Sequence, residues 1–333
     1  MMNWKFAGLL AMGLVMAGCG KGGDTASEGT AGAEKPLVVF AQANSADPWR
    51  QVFDAEMKAE AEKYASEFTF ESQAAEDNAQ KQMNVVDTFL VKEPKVLLIS
   101  PVDASLRPAI EKAYDQKIPV ILLDRAIEGD KFTAWIGGDN QEIGRQAGEY
   151  LVKKLGGKGT ILMIRGIAAA TPTLERGGGA MEVFAKYPGI KVIEGDDCGY
   201  QREKARKYME TFLQKGQKID AIYAHNDEMA IGAYLAWEAA NPSTEDGNPV
   251  VGSDIRPIIV GIDACQVEIV DFIKQGKIDA TFKYPNPGPK GIQVAADILK
   301  GGMPANKKIV LPTERVDKDN ADAYLAANPK LHK

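Results

Sequence analysis

The sequence alternates short, nearly unbroken apolar runs with longer stretches of helical spacing. The runs include residues 37–41, 96–100, 120–123, 133–136, 160–164, 191–194, 221–224 and 258–262. Between them lie 51–64, 79–91, 104–116, 143–154, 202–215, 228–240, 267–275 and 289–300. In the first of these stretches Phe53, Met57, Ala61 and Tyr64 fall at i, i+4, i+8 and i+11, on one helical face. A strand that is apolar at nearly every residue is buried on both faces, which requires a parallel sheet with helices above and below it. The expected fold class is therefore α/β and doubly wound. With 333 residues the chain has room for about two domains of ~150 residues each.

Composition narrows the chemistry. The formal net charge is −6 and no long Lys/Arg block is present, which argues against a nucleic-acid partner. Two histidines (His225 and His332) and three cysteines (Cys19, Cys198 and Cys265) are too few for a four-ligand zinc site or a disulfide-built scaffold. Carboxylates leave Ca²⁺ or Mg²⁺ open in principle, but no metal site and no cofactor is expected. The chain has no G-x-x-x-x-G-K-[ST], no G-x-S-x-G and no H-E-x-x-H, so neither P-loop hydrolysis of ATP nor those two hydrolytic sites are expected. Asp124, Asp227 and Asp263 would offer acid and base for a hydrolytic reaction. Arg and Asn neighbours would keep them ionised, and an enzyme is not the expected reading.

The N-terminus reads as an address. Lys5 precedes an apolar run over 6–17, too short for the ~20 residues that span a bilayer. Residues 1–18 are expected to be an export signal. Met16-Ala17-Gly18-Cys19 resembles the bacterial lipoprotein box, with Met16 where Leu is usual. The resemblance implies a lipid on Cys19; ordinary cleavage leaving a free cysteine is the alternative. Residues 19–35 then form a flexible tether without large apolar side chains. The protein is expected to be exported to the periplasm or the outer face of the cell membrane. The N-terminal lipid would be its only membrane contact.

Doubly wound sheets bind ligands outside the carboxyl ends of their strands. The polar residues there are 42–47, Asp124-Arg125, Arg165-Gly166, Tyr200, His225-Asn226-Asp227 and Asp263. Carboxylates accept and guanidinium groups donate in a fixed fork, a pairing suited to a neutral ligand covered with hydroxyls. Trp49 and Tyr200 offer flat faces for the C–H side of a sugar ring, with core packing as the competing account. Asp227 is as readily a helix N-cap as a site residue, and Arg125 beside Asp124 is as readily a local ion pair.

These residues, in this order, resemble the type I periplasmic sugar-binding proteins, the ribose/galactose-binding family of ABC importers. The carrying stretches are Asp47-Pro48-Trp49-Arg50, IPVILLDRAI at 118–127, GGDN at 137–140, RGIAAATPTLERG at 165–177, YAHNDEMAIGA at 223–233 and VGID at 260–263. The resemblance covers about residues 36–320. It implies two doubly wound lobes joined by a three-segment hinge, 36–138 plus 284–310 and 139–283 plus 311–328, closing over a monosaccharide. Carried over, the ligand-binding positions are Trp49, Arg50, Asp124, Arg125, Arg176, Tyr200, Asn226, Asp263 and Tyr284. Trp49-Arg50 together with YAHNDEM most resembles the galactofuranose-binding members, which implies a hexose in preference to ribose. The implied partner is an ABC permease in the inner membrane, served by a monomer. A sensory binding protein presenting ligand to a chemoreceptor or sensor kinase would look the same. A sugar-responsive repressor would carry a helix-turn-helix where this chain has a signal and tether.

Cys198 and Cys265 both fall near strand ends of the second lobe, in an oxidising compartment, and a disulfide between them is one of two states open to them. The glycines at 177–179 and 301–302 are expected at turns and helix boundaries. The stretch 241–257 reads as a polar surface loop. Residues 285–289, with three prolines, read as a rigid connection that suits a hinge or an ordinary loop.

Overall fold

The computed structural model describes residues 34–241, 255–329 and 331. The export segment, Cys19, the tether up to residue 33 and the insertion at 242–254 lie outside the described residues.

Residues 35 onward build two α/β lobes, each around a six-stranded sheet. The first sheet holds β1 (Leu37–Gln42), β2 (Thr69–Ala74), β3 (Val96–Ile99), β4 (Val120–Leu123), β5 (Ala134–Gly138) and β11 (Lys308–Leu311), in the order β11-β5-β4-β3-β1-β2. Its helices are α1 (Pro48–Glu62), α2 (Ala79–Val91), α3 (Arg107–Asp115) and α9 (Gly288–Leu299). The second sheet holds β6 (Lys158–Arg165), β7 (Gly189–Asp197), β8 (Ala221–Ala224), β9 (Ile258–Asp263), β10 (Ala280–Lys283) and β12 (Arg315–Asp317), in the order β12-β10-β9-β8-β6-β7. With it go α4 (Asn140–Leu155), α5 (Thr171–Phe184), α6 (Arg202–Gln214), α7 (Asp227–Ala240), α8 (Val267–Lys274) and α10 (Ala321–Ala327). Among the described residues every strand pairing is parallel except β10 with β12.

The alternation of side chains along a strand explains the unbroken apolar runs. In β1, Val38 and Phe40 enter one core while Val39 and Ala41 enter another on the opposite face. In β6, Ile161 and Met163 face one core and Leu162 and Ile164 the other. β2 departs from this pattern. As an edge strand it is half exposed, and its sequence TFESQA carries no apolar run.

The chain passes from one sheet to the other between Gly138 and Asn140, between Lys283 and Gly288, and between Leu311 and Arg315. These passages touch. A side chain on Gly138 would lie 2.8 Å from both the Tyr284 ring and Pro285, so only glycine admits the approach. Thr313 donates its hydroxyl to the Lys283 carbonyl at 2.6 Å.

Two expectations are corrected here. The glycines at 177–179 are not at a turn or helix boundary but inside α5. A Cβ on Gly179 would collide with the carbonyl oxygen of Gln141, and one on Gly144 with that of Arg176. These two glycines let α4 and α5 pack backbone to backbone, which the glycine-rich composition of α5 hides from a periodicity search. The second correction is the disulfide: Cys198 and Cys265 are both buried free thiols. Cys198 follows edge strand β7 and Cys265 follows β9, with β6 and β8 between them. At ~4.8 Å per strand that separates them by about 14 Å, far beyond disulfide reach.

Candidate functional site

The first lobe supplies its part of the site from the carboxyl ends of β1, β3 and β4. Asp47 caps α1, accepting from the Arg50 backbone N–H at 2.9 Å, and Pro48 occupies the first turn. This start orients Trp49 and Arg50. The Trp49 ring lies 5.3 Å from Phe53 and 5.2 Å from Tyr284, and its indole N–H donates to the Tyr284 carbonyl at 3.3 Å. Trp49 thus begins a helix and packs into the core, and it also lines the cleft.

Arg50 is buried and largely committed within its own lobe. It donates to Gln42 Oε1 at 2.9 Å, Ser100 Oγ at 2.8 Å and Asp124 Oδ2 at 2.5 Å. Asp124 therefore pairs with Arg50 rather than with its neighbour Arg125. Arg125 sends one nitrogen to the Val102 carbonyl at 2.9 Å and lies 3.7 Å from Asp77. Neither Gln42 nor Ser100 is among the residues carried over by the resemblance. Gln42 closes β1 in the polar strand-end group, but Ser100 gave no signal beyond ending an apolar run.

The second lobe answers from β6, β8 and β9. Arg176 is buried on α5, donating to Asn140 Oδ1 at 2.9 Å and to the His225 carbonyl at 2.5 Å, with Asp263 at 3.7 Å. Its guanidinium stands 4.8 Å from the Tyr284 ring. The Tyr200 hydroxyl shares a 2.6 Å hydrogen bond with Thr173, and burial raises its pKa. Asn226, not Asp227, is the N-cap of α7; its Oδ1 accepts from Met229 N–H and its amide donates to the Tyr200 carbonyl. Asp227 is the first residue of that helix and turns inward, accepting from Thr281 Oγ1 at 2.6 Å and the Ala264 N–H at 2.7 Å.

One cleft cavity collects these groups. Trp49, Arg50, Asp124, Arg125, Arg176, Tyr200, Asn226, Asp263 and Tyr284 all line it, joined by Asp47 and Pro172. The space there that protein atoms leave free, open solvent included, is about 380 Å³. Asp227 does not line it. Three lining residues, Asp124, Tyr200 and Asp263, hold a positive φ (63°, 63° and 134°) without being glycine. Such backbone persists only where the surroundings fix it and concentrates at functional sites.

The electrostatics follow from burial. Burial raises Asp47, opposed by Arg50. Contrary to the expectation that Arg and Asn neighbours keep it ionised, burial raises Asp263 well above the usual carboxylate range; Arg176 opposes this, while Asp227, Asp47 and Asp124 reinforce it. The carboxylates of the two lobes therefore face one another across the cavity, with arginines between them. Tyr284 is buried, its hydroxyl has no hydrogen-bond partner of normal geometry among the described residues, and burial and then the Asp124 carboxylate push its pKa up. The result is a narrow chamber with aromatic walls and charged hydrogen-bonding groups on both sides. It suits a small neutral molecule with many hydroxyls. Among the described residues no group of His, Cys, Asp and Glu side chains is arranged to hold a metal, and no helix is long and apolar enough to cross a membrane.

Comparison with known proteins agrees with this architecture. A family model described as periplasmic binding protein domain matches residues 38–303. The chain is 31% identical over 230 residues to the ribose import binding protein of Salmonella typhimurium, covering 68% of this chain and 73% of that protein. It is 30% identical over 269 residues to the galactofuranose-binding protein of Escherichia coli, covering 76% and 83%. Among solved structures, the fructose-binding periplasmic domain of a hybrid two-component system is 37% identical with a TM-score of 0.80, covering 88% of this chain and 94% of that one. These relatives are binding proteins rather than enzymes, and the family is extracytoplasmic. This chain belongs to the periplasmic binding protein domain family, among its type I sugar-binding members of the ribose/galactose kind.

Proposed function

We propose that this protein captures one monosaccharide between its two lobes and delivers it to an ABC permease. The observation that carries this reading is that residues of both lobes line a single narrow cavity. A sugar hydroxyl both donates and accepts, so it can bridge Asp124 and Arg125 on one side to Arg176, Asn226 and Asp263 on the other. Trp49, Tyr200 and Tyr284 would flank the ring, and the Tyr284 hydroxyl would gain from the ligand a partner of normal geometry.

The lobes are taken as 36–138 plus 284–310 and 139–283 plus 311–328, with the three touching passages as the hinge. Closure is then driven only by contacts that exist in the closed form. The sugar is a hexose of galactofuranose-like shape. The Trp49-Arg50 pair and the similarity to a galactofuranose-binding protein support this assignment. The lipid on Cys19 holds the protein, as a monomer, beside the membrane that carries the permease.

A second reading has its own support: the identity to the periplasmic domain of a two-component system favours a sensor that presents the same ligand to a kinase. A thermal-shift screen against hexoses, pentoses and polyols tests the ligand class, because a molecule that binds only the folded state raises Tm. Stabilisation by a hexose supports the assignment; stabilisation by a pentose alone overturns the hexose, and no shift with any sugar overturns the sugar reading. Deletion of an adjacent permease or kinase gene separates the two destinations by loss of uptake or loss of response.

A further inference from the structure

We propose that Tyr324, on C-terminal helix α10, is a positioning residue for the cleft. With Asp227 it clamps the turn that aims Asp263 at the ligand, and the proposal rests on the sugar-capture reading above. Asp263 and Ala264 are consecutive residues with φ of 134° and 53°. Neither is a glycine, and two adjacent side-chain-bearing residues in this region survive only if the surroundings hold them there.

The turn is held from both sides. The Ala264 N–H donates to Asp227 Oδ2 at 2.7 Å, and the Ala264 carbonyl accepts from the Tyr324 hydroxyl at 2.7 Å. The Asp263 carbonyl accepts from the Tyr284 N–H at 3.1 Å. Asp227 is fixed in turn by Thr281 on β10, and a side chain on Gly261 would collide with its Oδ1. Tyr324 is 4% exposed and sits in the same core as Ala264, Val316 and Ala321. The helix that follows the last strand therefore reaches sixty residues back along the chain to a cleft turn that it does not itself line.

Released from Tyr324, the turn has access to ordinary φ values, and the Asp263 carboxylate swings away from Arg176, 3.7 Å from it here. Tyr324 thus acts through Asp263.

The test is a double-mutant cycle of Tyr324→Phe and Asp263→Ala, read by calorimetry with D-fructose, D-ribose, D-galactose and myo-inositol, and by hydrogen exchange at the Ala264 amide without ligand. Tyr324→Phe is expected to weaken binding about 3- to 10-fold, the loss typical of one hydrogen bond, and to change it less than about twofold once Asp263 is Ala. It is also expected to speed exchange at Ala264 at least tenfold. Equal losses in both backgrounds, or unchanged exchange, overturn the clamp. If the wild-type chain binds none of the four, the exchange readout alone judges the clamp, and the sugar reading is judged by the full panel of hexoses, pentoses and polyols.

Discussion

Arg50 donates to the Asp124 carboxylate at 2.5 Å, and both side chains are 4% exposed. The pair lies between the end of β4 and the start of α1 and forms one wall of the cleft. Removing one member of such a buried pair leaves the other charge without compensation. Asp124→Asn is expected to lower stability by about 3 kcal/mol and to abolish measurable sugar binding. Arg50→Met combined with Asp124→Leu removes both charges, and is expected to recover most of the stability without the binding. Chemical denaturation of the wild type and the two variants checks this, and a stable, binding-competent Asp124→Asn would contradict it.

Tyr284→Phe separates binding from folding. Its hydroxyl is buried without a partner of normal geometry, so the free protein gains or loses no more than about 1 kcal/mol when the oxygen is removed. Affinity for the sugar is expected to fall about tenfold, because the ligand supplies a partner of normal geometry. Matched denaturation and titration curves test this; a parallel loss in both would assign Tyr284 to folding alone.

Two adjacent glycines on α5 carry opposite expectations. A Cβ on Gly178 meets only the Gln141 side chain at 3.4 Å, whereas one on Gly179 collides with the Gln141 backbone. Gly178→Ala is expected to stabilise by up to about 1 kcal/mol through helix propensity. Gly179→Ala is expected to destabilise by about 1–3 kcal/mol and to weaken binding, since it pushes α5 and Arg176 away from α4. Thermal melts of the two variants decide the matter by sign.

The histidine of the HNDEM stretch gives a pH dependence. His225 is fully buried with neither ring nitrogen hydrogen-bonded among the described residues, and burial, aided by Arg176 and Arg165, lowers its pKa from 6.5 to about 3. The folded pKa lies below the unfolded one. The unfolded chain therefore takes up the proton first, and stability is full above about pH 6.5 and lost as pH falls toward 3. The slope attributable to His225 approaches about 1.4 kcal/mol per pH unit below 6. Burial raises Asp227 to about 7, a raised carboxylate whose contribution is lost as pH rises, so it opposes the histidine over the same range. The His225 part is isolated as the difference between wild type and His225→Leu between pH 7 and 4.5. A difference that does not change with pH would contradict it.

Much of this architecture was legible because burial on both faces writes itself into a strand. Val96–Ile99 and Val120–Leu123 are apolar at every position and wholly buried. The half-exposed edge strand β2 carries no such run, and β11, also at an edge, is fully buried at none of its positions. Helix α5 was hidden by the glycines that let it touch α4.

The cleft residues were legible because the carboxyl ends of parallel strands are where such sheets hold ligands, and nine residues chosen on that rule and on resemblance surround one cavity. Asp47 and Pro172, which also line it, lie in stretches that carry the resemblance but outside the nine positions carried over; locally they serve as a helix cap and a helix-starting proline. Ser100, Asn140 and Tyr324 act on the site through other side chains, and contacts between distant segments leave no local pattern.

Titration calorimetry of the purified chain against a panel of hexoses, pentoses and polyols tests the central claim most directly. The account predicts saturable binding of one monosaccharide per chain, with a dissociation constant between nanomolar and micromolar, lost in Arg176→Ala. Absence of binding across the panel, or full affinity in Arg176→Ala, would contradict it.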